Sequence, residues 1–160
     1  MAATTSSTSL RERIEATARS FLQAYEDGGA QNDASIINRD VTADCERYLL
    51  PASVPQAFGL PTDFFFDTTK YRETFAQDIK LLKFKNNIIS NLIIDTEARR
   101  AAFTSIAEVH IVSSGDSYPA ELAWYLYFTE DGSKVKKVVE FCDKDVILKM
   151  ANEGKSSSIT

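Results

Sequence analysis

Histidine occurs once and cysteine twice in 160 residues, and each scarcity closes a class of chemistry. Cys45 and Cys142 stand in separate predicted strands rather than in a CxxC-type pair, so neither a disulfide scaffold nor a zinc site is indicated. Both read as buried thiols. A single histidine cannot build a multi-histidine metal site, and no acid-rich motif replaces it. The sequence has no GxSxG elbow, no GxGxxG loop after a strand, no P-loop and no HExxH motif. Catalysis, if present, is expected to need no metal and no cofactor.

Positive charge is also in short supply. Eighteen basic residues face 23 acidic ones, for a net charge of -5, and no basic block could neutralise a run of phosphates. Nucleic acid is excluded as a partner on that ground. No apolar run reaches the roughly 18 to 20 residues of a membrane span, and the start "MAATTSSTS" lacks a basic stretch followed by a hydrophobic one. The expectation is a cytoplasmic protein without membrane contact.

What is present suffices for one domain, which at this length buries roughly two thirds of the surface its unfolded chain exposes. Residues 1–8 and 151–160 are largely small and polar and read as disordered ends around a domain spanning 9–150. From Ser9 the pattern is helical: Ser9 and Glu12 form a capping box, and Leu10, Ile14, Ala18, Phe21, Leu22 and Tyr25 recur on one face until Gly28 and Gly29. A second, short helix is predicted from Asp33 to about Asn38. "DCERYLLP" reads as a short strand closed by Pro51, and "ASVPQAFGLPTDFFF" as an aromatic-rich loop able to act as a lid, with Phe65 a candidate substrate contact. Asp67 caps a third helix whose Tyr71, Phe75, Ile79 and Leu82 form a stripe.

After Lys85 the period changes to that of strands, roughly 86–96, 100–113, 119–130 and 134–143, the last two joined by the hairpin signal Asp131-Gly132. Helices followed by an antiparallel meander give an α+β class: a curved antiparallel sheet wrapped around three N-terminal helices, a cone whose mouth is a ligand pocket.

Two acids interrupt the apolar strands, Glu121 in "ELAWYLYF" and Glu140 in "VVEFC". Alternation places Glu121, Ala123, Tyr125 and Tyr127 on one face, a candidate pocket wall with polar tips, and Val138, Glu140 and Cys142 on one face of the partner strand. Each acid either meets solvent or enters a cavity, where desolvation would raise its pKa and suit it to proton transfer. His110 can relay protons or simply pair with Glu108. Tyr118 can bind a substrate carbonyl or cover the rim, and Arg39 can be a surface charge or the cation that orients a pocket carboxylate.

The stretch "YPAELAWYLYFTEDGSKVKKVVEFCDKD" resembles the Y-x-x-E, F-T-E-D-G-x-K-V and E-F-x-D pattern of fungal SnoaL-like proteins, small enzymes of meroterpenoid, polyketide and indole-alkaloid pathways. The likeness extends upstream through "NRDVTADCERYLLPAS" to "FLQAYE" and covers most of residues 10–150. It implies the cone-shaped barrel of nuclear transport factor two, a homodimer, and a pocket lined by Arg39, Tyr118 and Glu140, with Glu121 at the place of a recurrent acid. The "CDKD" segment and the long aromatic loop depart from the pattern, which points to a different lid and substrate.

The resulting expectation is a cofactor-independent enzyme that cyclises or rearranges a small-molecule biosynthetic intermediate. Glu140 moves the proton, Arg39 and Tyr118 stabilise an oxyanion, Tyr125, Tyr127 and Phe141 exclude water, and Glu121 and Asp143 are second acids or orienting groups. An epoxide or polyketide hydrolase and a non-catalytic binding or dimerisation module are the alternatives.

Overall fold

Ser9 opens the first helix as its spacing predicts: in the computed structural model, which describes residues 8–156, the Ser9 hydroxyl accepts a hydrogen bond from the Glu12 amide at 3.1 Å. The expected disordered residues 1–7 and 157–160 lie outside this range. Helix α1, Leu10–Gln31, buries Ile14, Ala18, Phe21, Leu22 and Tyr25. It does not stop at the two glycines. Gly28 is instead where Phe75 packs, since a Cβ there would stand 2.6 Å from Phe75 Cε1, and the helix ends at Asn32 in the left-handed region, φ 52°.

Asp33 caps a 3-10 turn, Ala34–Asn38, by accepting from the Ser35 amide. Strand β1 (Val41–Leu50) follows, then a five-residue helix α2 (Ser53–Ala57), the two-residue β2 (Phe65–Phe66), and α3 (Thr68–Leu81), capped by Asp67. Strands β3 (Leu82–Asp95), β4 (Arg100–Ile111), β5 (Ser117–Phe128) and β6 (Val135–Cys142) complete a six-stranded sheet in the order β2-β1-β6-β5-β4-β3. Neighbours are antiparallel except β1 and β6, which run parallel.

Two irregularities in the β3–β4 pairing, beside Asn86 and Asn91 at φ 53° and 57°, mark bulges, which bend the long β3 and curve the open sheet. The concave face closes over α1 and α3. Trp124 forms its centre, edge-to-face with Phe21 at 5.6 Å, its indole N–H donating to Ser105 Oγ at 2.8 Å.

The sequence reading misses three elements: the short α2 and β2, which lie inside the expected loop, and a longer one near the end of the chain. Helix α4, Lys144–Ser156, begins just past Cys142 and extends into the segment expected to be a disordered tail. Its polar composition hides it, yet Val146, Ile147, Met150 and Ala151 face inward. Asp143 starts it by accepting from the amides of Asp145 and Val146 at 2.9 and 3.4 Å.

Candidate active site

Between the concave sheet, α1, α3 and α4 lies a cavity of about 360 Å³. Its wall is mostly hydrocarbon and aromatic, including Trp124, Phe75, Phe84 and Phe66, and Val146 and Met150 of α4 cover one side. Phe58, Leu60 and Phe66, from the aromatic-rich connection after β1, also line it.

Glu140 lines this cavity from the middle of β6, opposite Trp124 of β5 and Leu49 of β1, which line it too. Burial pushes its pKa up to about 7, against the nearby Arg47 cation and a hydrogen bond from the Cys142 thiol, which favour the carboxylate; Asp78 adds to the rise. Asp78, on α3, also lines the cavity, and burial lifts its pKa to about 6. At neutral pH Glu140 stands close to half-titration, the condition for accepting and returning a proton, while Asp78 is mostly ionised.

Arg47 is buried, 2% exposed, behind this wall. Its guanidinium donates to the Ile37 carbonyl at 2.9 Å and to Tyr25 Oη at 3.4 Å, and Nε has no partner. Tyr25 and Tyr71, both lining the cavity, place their hydroxyls 2.6 Å apart. When Tyr25 donates to Tyr71, the Tyr71 proton is left for a ligand. Burial drives both phenols well above their ordinary pKa, so they act as neutral hydrogen-bonding groups.

The other residues singled out in the sequence lie elsewhere. Arg39 does not reach the cavity: it is held at the end of the 3-10 turn by Asp27 at 2.7 Å, Asp40 at 3.2 Å and the Ser20 carbonyl at 3.0 Å, tying α1 to the start of β1. Tyr118 is on the inner face of β5 but past the lining, packed with Leu82, Val109 and Ala120 and beneath Lys149, 4.2 Å from its ring. Its buried hydroxyl has no partner, and burial raises its pKa to about 12.

Register decides the rest. Trp124 opposes Glu140, so the even residues of β5 share the cavity face and the odd ones, Glu121, Tyr125 and Tyr127, lie on the outer face. The expected pocket wall is thus the convex side of the sheet, and Phe141 and Phe65 project there as well, 48% and 41% exposed. His110 sits on the same outer side, 3.0 Å from Glu108, and Asp143 is occupied in capping α4. None of these seven lines the cavity.

The residues missed were nonetheless readable. Arg47 falls on the apolar parity of Cys45 and Leu49, and Asp78 lies three residues after Phe75 and seven after Tyr71, on the buried stripe of α3. A charge inside an apolar stripe was the signal. Among the described residues no group of three or more His, Cys, Asp or Glu could hold a metal ion, and no helix is long and apolar enough to cross a membrane.

Comparison with solved structures places this architecture. The BvnE pinacolase of Penicillium brevicompactum superposes with a TM-score of 0.76 at 21% identity, over 94% of this chain and 99% of that one. PrhC of Penicillium brasilianum gives 0.74 at 21% identity over 94% and 93%, and AusH of Aspergillus nidulans 0.64 at 17% over 83% and 85%. The chain has the cone-shaped fold of the nuclear-transport-factor-two type. An NTF2-like protein of Burkholderia pseudomallei shares it with a TM-score of 0.60. No protein-family model and no curated relative matches the sequence. The fold agrees with the one implied by the SnoaL-like pattern of the carboxyl half.

Proposed function

We propose that this chain is a cofactor-independent acid/base enzyme that isomerises a small organic intermediate, by cyclisation or skeletal rearrangement, in fungal secondary metabolism. The observation that carries the reading is Glu140: a carboxyl set in the wall of a 360 Å³ apolar cavity, with a pKa of about 7. A carboxyl placed there serves as general acid in one half of its population and as general base in the other. The pinacolase activity of BvnE, a protein of the same fold, supports a rearrangement in particular. Polyketide, meroterpenoid and indole-alkaloid intermediates are the substrate classes that the SnoaL-like sequence pattern suggests.

In this mechanism the substrate skeleton lies against Trp124, Phe75 and Phe84, with α4 and the Phe58–Phe66 connection excluding water. Glu140 gives a proton to a substrate oxygen or takes one from it. The Tyr25–Tyr71 pair supplies a hydrogen bond to a developing negative oxygen, taking the role first assigned to Arg39 and Tyr118. Arg47 tunes Glu140 from behind without touching the ligand.

The test compares metabolites by mass spectrometry in the native host carrying the wild-type gene, a deletion, or Glu140→Gln. The reading expects the deletion and the variant to accumulate an intermediate isobaric with the lost product. A lost product heavier by one water would instead identify a hydrolase, and an unchanged profile would exclude catalysis.

A further inference from the structure

With Tyr25 and Tyr71 held neutral, the groups in the cavity wall that can carry charge near neutral pH are two carboxylic acids. Asp78 enters from α3 and Glu140 from β6, and among the described residues no lysine, arginine or histidine joins them in the lining. A third acceptor, Asn87 Oδ1 on β3, is buried without a hydrogen-bond partner in the same wall. The bulge beside Asn86 accompanies this placement, and the Asn87 backbone N–H donates to Glu26 Oε1 of α1 at 2.5 Å. The remaining wall is aromatic and aliphatic.

The charges do not balance inside the protein. Around Glu140 stand Tyr25 from α1, Arg47 from β1, Tyr71 and Asp78 from α3 and Cys142 from its own strand. Helix α4 contributes aliphatic side chains to the wall, its Lys149 being set against Tyr118 instead. With both carboxyls ionised, Arg47 offsets the charge of Glu140 and no cation is set against Asp78, leaving a net of one negative charge beside an aromatic wall. Aromatic faces attract cations, and a buried positive charge is tolerated where carboxylates and acceptors satisfy it.

We infer that the cavity is built for an organic cation: a ligand carrying an ammonium-type charge on a flat hydrocarbon skeleton, its N–H donors shared among Asp78, Glu140 and Asn87. This rests on the cavity being the ligand site and narrows its substrate. Of the three classes above it selects the nitrogen-bearing one, and it excludes carboxylates and phosphates. Asp78 thereby becomes a substrate-binding residue.

Three probes with one skeleton separate charge from shape: 2-(1-naphthyl)ethylamine, 2-(1-naphthyl)ethanol and 1-naphthylacetate, titrated into the full chain by calorimetry at pH 8. The amine should bind at least tenfold more tightly than the alcohol, and the acetate more weakly than either. Lowering the pH to 5 should abolish the amine's advantage as the acids protonate, while the alcohol's affinity changes little. Asp78→Asn should remove the preference while keeping alcohol binding, which also shows that the variant is folded; Glu140→Gln should act in the same direction. Equal binding of amine and alcohol, or tighter binding of the acetate, overturns the inference and leaves the cavity a ligand site. Failure of all three probes to bind overturns both.

Discussion

The guanidinium of Arg47 lies 4.0 Å above the ring of Tyr71, and through that contact a buried cation is fixed close to Glu140 without entering the cavity. Arg47 is the largest influence holding Glu140 toward its charged form against burial. Replacing it with methionine keeps much of the volume and removes the charge. Arg47→Met is expected to move the Glu140 titration upward from about 7, read by carbon NMR of the side-chain carboxyl. An unshifted titration would show that the arginine field does not reach it.

The same carboxyl links folding to pH. Glu140 titrates near 4.5 when unperturbed and near 7 when folded, so between these values the native state holds the proton more firmly than the unfolded chain. The stability this contributes is fully present below about pH 4.5 and is lost as pH rises through about 7. Asp78, raised from 3.8 to about 6, acts with the same sign over a lower window. At 1.36 kcal/mol per pKa unit, the Glu140 contribution is on the order of 3 kcal/mol. Urea midpoints should therefore fall between pH 5 and pH 8 in the wild type, and Glu140→Gln should flatten that slope and be the more stable protein at pH 8. A steeper slope in the variant would contradict the assignment.

Both tests turn on residues of unequal legibility. Glu140 could be read as a cavity acid because Val138 and Cys142 share its parity, but Glu121 looked equally eligible. Only strand register separates them, and register here includes a one-residue shift between Tyr127 and Phe128 that no alternation pattern reveals. Helices α1 and α3, the β3–β6 order and the Asp131-Gly132 turn were written in caps, periods and turn residues, which are local. The parallel β1–β6 pair and the docking of α4 are long-range, and α4 in particular is too polar to announce a buried face. Arg39 misled for a related reason: a lone arginine near a pocket-like sequence carries no sign of the two aspartates that claim it.

Arg39→Ala is accordingly expected to leave product formation in the native host unchanged, since Arg39 contacts Asp27, Asp40 and the Ser20 carbonyl rather than the cavity. Its ion pairs are partly exposed, so the loss of stability should be about 1 kcal/mol by chemical denaturation. Loss of product from a variant of normal stability would return Arg39 to the active site.

Gly28 offers a steric check on the cavity wall. In a free helix, alanine would be favoured over glycine by about 1 kcal/mol. Here its Cβ would meet Phe75 Cε1 at 2.6 Å and Cζ at 3.0 Å, and Phe75 is buried in the core while also lining the cavity. Overpacking costs about 1–3 kcal/mol, so Gly28→Ala should lower the melting temperature and weaken binding of the naphthyl probes. A melting temperature equal to or above that of the wild type would mean that Phe75 has room to move.

The outer face of the sheet carries the last prediction. Cross-strand register aligns Ile93, Ala102, Tyr125, Val139, Tyr48 and Phe65 in one row across all six strands, with Phe141 beside it. Ile93 is 69% exposed and Tyr125 49%, so this apolar row faces outward. A row this continuous is poorly suited to water and well suited to a second copy related by two-fold symmetry, which fits the homodimer implied by the SnoaL-like pattern. Gel filtration with light scattering should return a dimer at micromolar concentration, and Tyr125→Asp combined with Phe141→Asp should return a folded monomer, because neither side chain touches the cavity and two carboxylates facing their symmetry mates would repel. A monomeric wild type would sink the proposed assembly and leave the row as bare surface; a dimer unaffected by the double change would place the interface on another face.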